Sequence, residues 1–306
     1  MEDYPRTILE FEERFATEEA CRQYLSNLRW PDGFCCPRCG SQQAWAMKRR
    51  LYWCKSCAYQ VSLTAGTIFQ DTRKPLRLWF RAMWYVTNQK QGVSALGLQR
   101  FLGLGSYRTA WSWLHKLRTA MVRPGRDRLS GVVEVDETYI GGAHTGKPGR
   151  GSAGKSLVLI AVEDKGKKMG RIRLAKVKDA SACSLIGAIK KGVEQGSRIR
   201  TDGWAGYLPL NKEGYHHVTV RQEATIGDNL LPKVHRVASL LKRWLLGTHQ
   251  GAVESSHLDF YLDEYTFRFN RRSSRSRGKL FYRLTQQALA VPPVTGRDLK
   301  GGDQNT

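Results

Sequence analysis

The sequence lacks long hydrophobic runs and any recognisable export signal. Its longest unbroken apolar stretch is "LVLIAV" at 157–162, far shorter than the roughly 20 residues that span a bilayer as a helix. The first residues, "MEDYPRTILEFEERF", are rich in acids and have no signal-peptide pattern. These absences argue against a membrane protein and predict a cytoplasmic location.

Acidic residues are scarce overall. The chain of 306 residues has 50 Lys and Arg against 27 Asp and Glu, so its formal net charge is +23 at pH 7. Such a charge indicates a polyanionic partner. The basic segment 268–283, which includes Arg271 and Arg272, is interrupted by Ser and Gly, whereas a membrane-surface helix needs a continuous basic face. We therefore expect nucleic acid as the partner, with these two arginines among its contacts.

A disulfide framework is not expected, because four of the seven cysteines form two C-x-x-C pairs in a chain predicted to be cytoplasmic. The pairs are Cys36 with Cys39 and Cys54 with Cys57. Each C-x-x-C turn brings two thiolates to one side, and two such turns complete a tetrahedral site for a structural Zn²⁺. Cys35 offers an alternative register, but only Cys36 has the two-residue spacing.

The segment between the cysteine pairs, "AWAMKRRLYWC", predicts a β-hairpin. Its turn would present Lys48, Arg49 and Arg50, which we expect to contact DNA phosphates.

Residues 93–118 predict a helix, a Gly-containing turn and a second helix that begins near Ser106. This is the pattern of a DNA-binding helix-turn-helix, and Arg108 would lie in the first turn of the second helix, where base-contacting residues are found. The alternative is an ordinary helical hairpin with Trp111 and Leu114 in its core. The adjacent basic zinc module favours DNA binding.

After a linker at 123–131 the pattern changes to strands. The expected elements are strands at 132–140, 156–163 and 171–178, a helix at 179–196, a short strand that ends in "IRTDGWAGY", and helices near 233–246 and 255–271. This order is that of the ribonuclease H-like fold, a mixed sheet flanked by helices.

The fold class is therefore multidomain. We expect an N-terminal helical segment at 1–34, a zinc ribbon at 35–70, a helix-turn-helix region at 71–122, an α/β ribonuclease H-like catalytic domain at 130–290 and a disordered tail at 291–306.

The segment "GRGSAGKS" at 149–156 matches the phosphate-binding pattern G-x-x-x-x-G-K-S. That loop acts only between a strand and a helix whose N-terminus faces the phosphates. Here the following residues, "LVLIAVE", have a strand pattern. We interpret the segment as a basic loop that joins two antiparallel strands and do not expect a nucleotide triphosphate site.

The stretch "VVEVDETYIGG" at 132–142 places charges in an apolar strand, where they need a partner or a metal. In a ribonuclease H-like sheet the first and fourth strands are neighbours, so Asp136 can meet Asp202. Two adjacent carboxylates repel each other, and Mg²⁺ or Mn²⁺ relieves the repulsion. The alternatives are an edge strand with one solvated face and, for Asp202, a simple Asp-Gly turn.

The helix pattern "KVHRVASLLKRWLL" places His235 and Lys242 on one stripe, two turns apart. His235 could complete a metal site, and Lys242 could hold DNA nearby. The alternative is a solvated helix face.

The segments "CPRCG", "WCKSCAYQVSLTAGTIFQDTRKPLRLWF", "VDETYIGG", "TDGWAGY", "LLKRWLLGTH" and "YLDEYTFRFNRR" occur in this order. In these segments the chain resembles insertion-sequence transposases that join an N-terminal zinc ribbon and helix-turn-helix to a ribonuclease H-like DDE domain. The resemblance implies cleavage and transfer of double-stranded DNA at transposon ends with Mg²⁺, and assembly as a homo-oligomer on DNA. It assigns the first two acids to Asp136 and Asp202 and the trailing lysine to Lys242.

The third acid is the point of departure, because His235 stands where many relatives have a carboxylate. Imidazole binds Mg²⁺ weakly and Mn²⁺ better, so we keep His235 as the third catalytic candidate. Glu264 is the fallback, although an exposed ion pair with Arg268 is its default interpretation. Asn270 is a weaker candidate, and Glu134 shares a strand face with Asp136.

The competing function is a non-catalytic zinc-ribbon and helix-turn-helix regulator, or an inactive relative of the transposases.

Overall fold

The computed structural model describes residues 2–123, 125–141, 155–220, 230–251, 253–296 and 298–299. The chain forms two compact units. The first combines Met1–Pro124 with Ser274–Gly301, and the second contains Gly125–Ser273. Among the described residues no helix is both long and apolar enough to cross a membrane.

Helices and strands appear largely where the patterns place them. The described α-helices are α1 (Ile8–Arg14), α2 (Glu18–Arg29), α3 (Leu76–Asn88), α4 (Ala95–Leu102), α5 (Tyr107–Ala120), α6 (Ala182–Gly192), α7 (Pro232–His249), α8 (Leu258–Asn270) and α9 (Arg277–Ala290). The described strands are β1 (Ala44–Ala46), β2 (Leu51–Cys54), β3 (Gln60–Ser62), β4 (Val132–Ile140), β5 (Ser156–Lys165), β6 (Lys168–Val177), β7 (Arg198–Thr201) and β8 (His216–Thr219).

In the first unit, β1, β2 and β3 form a small antiparallel sheet. The predicted hairpin is present, because Trp45 of β1 pairs with Trp53 of β2. Arg29 at the end of α2 contacts the turn after β3: its guanidinium donates to the carbonyls of Leu63 at 2.5 Å and Ala65 at 2.7 Å. These contacts connect the N-terminal helices to the cysteine-bearing sheet.

The core of the first unit is an aromatic cluster to which the C-terminal helix contributes. Phe281 of α9 packs against Phe11, Phe15 and Phe80, with ring centroids 5.4, 5.7 and 5.6 Å apart. Because its apolar face is buried here, α9 belongs to the N-terminal unit, whereas we expected the catalytic domain to continue to residue 290.

A close approach of backbone to backbone also anchors α9. A Cβ atom at Gly278 would lie 1.6 Å from the carbonyl oxygen of Pro5. Only glycine allows this contact.

The predicted helix pair is formed by α4 and α5. Gly103 ends α4 in the left-handed conformation, with φ of +62°, and Ser106 is the N-cap residue of α5. Leu114 is buried as expected for either interpretation. Arg108 is exposed in the first turn of α5.

The second unit is built on a five-stranded mixed sheet of order β6-β5-β4-β7-β8. Strands β4, β5 and β6 are antiparallel, while β4 pairs with β7 and β7 with β8 in parallel. The expected neighbourhood of the first and fourth strands is therefore present. Strand β8 was not expected, because its four residues, "HHVT", have no hydrophobic pattern.

Both faces of this sheet are covered. Val158, Ile160 and Val162 of β5 face the helices α7 and α8, and the intervening Leu159 and Ala161 face α6. A strand buried on both faces is continuously apolar rather than alternating, which explains the run "LVLIAV".

Two expected segments lie wholly or partly outside the described residues. The basic loop at 149–156 falls there except for Lys155 and Ser156, although the strands it joins, β4 and β5, are antiparallel as predicted. In the expected disordered tail, the side chain of Leu299 is 1% exposed, so apolar burial orders part of that segment.

Candidate functional site

The four paired cysteines converge in the first unit. The Sγ atoms of Cys36 and Cys57 are 3.7 Å apart, and those of Cys39 and Cys54 are 3.5 Å apart. All four sulfur atoms lie within 4.8 Å of one another. A tetrahedral Zn²⁺ with bonds of about 2.3 Å separates its sulfur ligands by about 3.8 Å, so the cluster fits a structural zinc. Cys35 is outside the cluster, which confirms the Cys36 register.

Three basic residues lie at the turn of the hairpin beside this cluster. Lys48, Arg49 and Arg50 are all exposed, and Arg50 adopts a left-handed conformation with φ of +62°. The turn therefore presents its cations to solvent. That DNA is what they bind remains a prediction.

In the second unit, Asp136 and His235 meet. Asp136 lies near the middle of β4 and His235 on the first turns of α7, and the Nε2 atom of His235 is 3.4 Å from Oδ2 of Asp136. The side chain of Asp136 is 20% exposed and that of His235 is 50% exposed. The pair therefore lies at the surface of the sheet, open to a ligand.

The environment of Asp136 disfavours its charge. Burial and the neighbouring carboxylates of Glu137 and Asp202 raise the pKa of Asp136 to about 6, even though the N–H of Glu137 and the imidazole of His235 act in the opposite direction. Asp202 thus lies close enough to repel Asp136 across the parallel strands β4 and β7. The two acids are thus coupled electrostatically, and their joint binding of a metal stays a prediction.

Asp202 follows the last residue of β7 in a tight turn. Its Oδ1 atom accepts a hydrogen bond from the N–H of Trp204 at 3.0 Å, so the alternative of an Asp-Gly turn is also correct. Gly203 has φ of +84°, and a Cβ there would lie 2.5 Å from Cγ2 of Thr219. The turn therefore requires glycine, and it presents Asp202 at the carboxyl end of the strand.

Glu137 is held by a buried tyrosine. The hydroxyl of Tyr207 donates to Oε2 of Glu137 at 2.6 Å, and Tyr207 is fully buried. Burial, followed by the charge of Glu137, raises the pKa of the Tyr207 phenol. Tyr207 therefore remains a neutral donor that fixes the acid adjacent to Asp136 in the chain.

Glu134 has a different role from the metal-proximal one that its strand position suggested. Its side chain is fully buried, and Oε2 accepts hydrogen bonds from the backbone N–H groups of Lys233 at 2.9 Å and Val234 at 3.1 Å. The first N–H groups of a helix lack partners within the helix, and Leu231, the N-cap residue of α7, provides no side-chain cap. Glu134 therefore fastens the start of α7 to β4.

The other oxygen of Glu134 has a nearby positive charge but no hydrogen-bond donor among the described residues. This atom, Oε1, lies 4.0 Å from Nζ of Lys233. The Lys233 ammonium bonds instead to Asp164, with 2.5 Å between Nζ and Oδ1. A negative charge at the positive end of a helix is stabilising, so the buried carboxylate suits this position.

The predicted stripe on α7 is confirmed. His235, Ser239 and Lys242 are exposed, while Val234 and Leu241 on the adjacent face are buried. Lys242 is two turns beyond His235, which is roughly 10 Å along the helix axis.

Glu264, the fallback acid, forms the expected ion pair, but the pair is not exposed. Its Oε1 atom is 2.7 Å from an Nη of Arg268, and the side chains of Glu264 and Arg268 are 1% and 12% exposed. The expectation of an exposed pair was therefore wrong, and a buried charge that loses its partner is strongly destabilising. The helix of Glu264, α8, packs on β6, the edge strand two positions away from β4.

Asn270 and the arginines after it are bonded to backbone or packed on rings. Asn270 accepts from the N–H of Ile172 at 2.7 Å and donates to its carbonyl at 3.1 Å. Arg272 donates to the carbonyl of Gly170 at 3.2 Å, and Arg271 lies 4.1 Å over the ring of Phe267. These contacts give the residues structural roles, and DNA contact by Arg271 and Arg272 stays a prediction.

Comparison with known proteins covers both units. Residues 16–60 match the transposase zinc-ribbon domain, and residues 128–270 match the ISXO2-like transposase domain. Both matched segments are therefore similar to transposase domains. The first match contains the four clustered cysteines, and the second contains Asp136, Asp202 and His235.

A relative from Halobacterium salinarum resembles the chain over most of its length. It is described as an uncharacterized protein in transposable element ISH50 and is 26% identical over 288 residues, which is 87% of this chain and 94% of the relative.

Among the described residues, only the cysteine quartet gathers three or more metal-binding side chains as closely as 4.8 Å. Asp136 and His235 form a pair to which Asp202 contributes through its charge. Sequence reasoning did not identify the capping role of Glu134 or the support of Glu137 by Tyr207. The sequence did contain one indication of these roles. Strand β4 carries three acids, Glu134, Asp136 and Glu137, and only Asp136 was assigned to the metal, so the other two needed structural partners.

The cysteine cluster predicts one tightly bound Zn²⁺ per chain. Cys36→Ser should release the metal and unfold the small sheet, because a structural site of three thiolates is incomplete. Cys35→Ser, one residue away, should keep both zinc and fold. Elemental analysis of the purified proteins measures this, and a folded wild-type protein without zinc contradicts the assignment.

The acids of β4 should differ in their effect on stability. Glu134→Ala deprives two N–H groups of α7 of their acceptor, and we expect a loss of about 2–4 kcal/mol in the free energy of unfolding. Asp136→Asn should leave stability unchanged or raise it, because the amide removes a charge repelled by Glu137 and Asp202.

The stability gain of Asp136→Asn should depend on pH. A pKa of Asp136 raised from 3.8 to about 6 destabilises the folded protein above pH 6, and this effect vanishes below pH 3.8. Thermal denaturation without added divalent metal should therefore show the gain of Asp136→Asn near neutral pH and not in acid.

For the other acid of this strand, a Glu134→Ala protein as stable as the wild type contradicts the capping role.

Proposed function

We propose that the chain is an active DNA transposase that cleaves and joins DNA strands at insertion-sequence ends by metal-dependent hydrolysis and transesterification. The sheet order β6-β5-β4-β7-β8, with β6, β5 and β4 antiparallel and β4 and β7 parallel, supports a ribonuclease H-like fold for the second unit.

One observation carries the proposal: the 3.4 Å contact between Asp136 and His235, set in the field of Asp202. A carboxylate whose pKa is raised by burial and by other acids is a destabilising arrangement, and such arrangements concentrate at functional sites. Glu134, two residues away on the same strand, has a clear structural purpose, and Asp136 does not share it.

The donor set suits a divalent cation. Neighbouring ligands on an octahedral ion with bonds of about 2.1 Å are about 3 Å apart, close to the separation of Oδ2 of Asp136 and Nε2 of His235. Asp136 and Asp202 would hold the ion and His235 would complete the set. Bound there, Mg²⁺ or Mn²⁺ would supply the positive charge that stabilises a phosphodiester undergoing displacement.

The residues of the chain position the DNA around this site. Lys242 lies on the same exposed stripe as His235, and its ammonium would hold a DNA phosphate near the reacting one. Glu134 keeps that stripe in register with Asp136 by fastening α7 to β4. The proposed roles of Lys242 and His235 therefore depend on the same helix.

End recognition is assigned to the first unit. Its helices α4 and α5, joined by a short turn at Gly103, have the order expected of a helix-turn-helix, and Arg108 is exposed in the first turn of α5. Lys48, Arg49 and Arg50 at the hairpin turn are suited to phosphate contacts, which position a protein on DNA without selecting sequence.

The second candidate function is a DNA-binding regulator that has lost catalysis. His235 in place of a carboxylate is the observation that favours it. Cleavage in the presence of Mn²⁺ distinguishes the two.

Substitutions at the site should separate cleavage from binding. Asp136→Asn and Asp202→Asn should each reduce strand cleavage more than about a hundredfold, because the metal contributes several kcal/mol to the transition state, while DNA affinity persists. His235→Ala should also cripple cleavage, and His235→Glu should shift preference from Mn²⁺ toward Mg²⁺.

Glu264→Gln serves as the comparison, since Glu264 is buried beside Arg268. It should lower the melting temperature and leave the residual folded protein active. An active His235→Ala protein together with a folded but inactive Glu264→Gln protein would reassign the third residue. Wild-type protein that binds ends but never cleaves with either metal would support the regulator.

Two exposed cations of the first unit should differ in what they contribute to DNA binding. Arg108→Ala should lower discrimination between specific and unrelated DNA by about 1–3 kcal/mol, since bidentate base contacts carry this energy. Arg49→Ala should weaken the affinity for specific DNA and for unrelated DNA equally. It should also reduce the slope of log affinity against log salt by about 1. Fluorescence anisotropy at several salt concentrations measures both, and equal behaviour of the two variants contradicts base contact by Arg108.

A further inference from the structure

A groove on the second unit lies away from the site just described. It has a volume of about 620 Å³ and runs between β6 and α6. Its floor includes Leu159 and Ala161 of β5. These residues point to the face of the sheet that α6 covers, whereas Ile160, the strand partner of Asp136, points to the other. The groove is therefore on the opposite face from the Asp136 site.

The charge of this groove is of one sign. The described residues that line it include no acid and five basic residues, which are Arg126, Arg173, Lys176, Lys178 and Lys191. The Lys176 ammonium lies on the other face of the sheet, where it donates to the carbonyl of Ser255 at 2.9 Å, so four cations remain on the groove side. Three acids adjoin lining residues in the chain, and they are Asp127, Asp179 and Glu194. Asp179 accepts hydrogen bonds from the hydroxyls of Ser181 and Ser184, and Asp127 lies 3.8 Å from Arg171. An aliphatic floor rimmed by basic residues matches a ligand with spaced negative charges.

Two of the cations are built into the wall. Arg173 donates to the carbonyl of Ile172 at 2.9 Å, and Arg126 lies 3.7 Å from Asp263. Burial, and the nearby Arg126 and Arg171, lower the pKa of Arg173 to about 10. The wall thus concentrates positive charge that the protein itself only partly offsets. Lys178 and Lys191 are exposed at the rim.

We propose that this groove binds the phosphodiester backbone of a DNA segment other than the one held at Asp136. A strand on this face would contact Lys178 and Lys191 with its phosphates and lay its sugars on the aliphatic floor. The proposal concerns DNA binding alone, so it stands or falls independently of cleavage at Asp136.

Gly187 offers a direct test. It lines the groove on α6, and a Cβ there would meet no atom within 4 Å. A side chain at this position therefore enters the groove without disturbing the fold. Gly187→Glu places a carboxylate among the cations, and Gly187→Gln places an uncharged group of the same shape.

The measurement is duplex-DNA affinity by anisotropy, without added divalent metal so that no strand is cleaved. We expect Gly187→Glu to bind at least threefold more weakly than Gly187→Gln, with a salt slope smaller by about 0.9 for each phosphate that the groove no longer neutralises. Lys212 is exposed and outside the groove lining. Lys212→Gln lowers the net charge by one, as Gly187→Glu does, and should reduce the affinity for DNA less than Gly187→Glu. Equal binding by the Glu and Gln variants overturns the proposal.

Cys183 provides a second readout in the wild-type protein. Its thiol is exposed and lines the groove. Saturating DNA should slow its alkylation by N-ethylmaleimide several-fold, as measured by mass spectrometry of its peptide. An unchanged rate overturns the proposal, and so does protection that grows with protein concentration in the absence of DNA, which would assign the groove to a second copy of the chain.

Discussion

A buried carboxylate at the start of a helix sets the geometry of the second unit. Glu134 gives its Oε2 atom to the N–H groups of Lys233 and Val234, and this contact joins β4 to α7 at one fixed register. One residue further along the helix is His235, and two residues further along the strand is Asp136. The 3.4 Å contact between them follows from that register, so the proposed chemistry depends on an interaction whose own role is structural.

The acids of β4 thus differ in role: Glu134 and Glu137 have structural partners, and Asp136 is the proposed metal ligand. Glu134 is fully buried and compensated by helix N–H groups, and Glu137 receives the hydroxyl of Tyr207. Asp136 is left with a raised pKa, near other acids and near solvent. The N–H of Glu137 and the imidazole of His235 compensate this charge only in part. A protein tolerates such a charge where a ligand supplies the opposite one, so the same strand is both well anchored and electrostatically unfavourable.

Periodicity and spacing predicted most of the elements and the parts of the site that rest on local pattern. The cysteine register and the exposed stripe with His235 and Lys242 followed from the sequence because each is set by spacing within one or two elements. The pairing of the first and fourth strands was predicted differently, from the order of strands and helices, which is that of the ribonuclease H-like fold. The remaining features depend on tertiary packing. The sequence shows that Glu264 and Arg268 are four residues apart on a helix. A buried pair and an exposed pair have this same spacing, so the spacing alone did not reveal that Glu264 is buried.

The location of α9 and the existence of the short strand β8 also depend on tertiary packing that local sequence patterns do not reveal. The apolar face of α9 is evident in the sequence, but the rings that its Phe281 packs against, those of Phe11, Phe15 and Phe80, lie more than two hundred residues earlier in the chain. Strand β8 has no hydrophobic alternation and exists because β7 offers it a backbone edge. The basic groove likewise combines residues from three elements whose proximity no linear pattern encodes.

The central claim is that His235 and Asp136, held in register by Glu134, bind one divalent ion with Asp202. Pulsed electron paramagnetic resonance of Mn²⁺ bound to the zinc-loaded protein tests it directly, because a coordinating imidazole produces a nitrogen coupling to the manganese spin. The account predicts this coupling in the wild-type protein, its loss in His235→Ala, and loss of Mn²⁺ binding in Asp136→Asn. Tight Mn²⁺ binding with no nitrogen coupling, or coupling that survives His235→Ala, would contradict it.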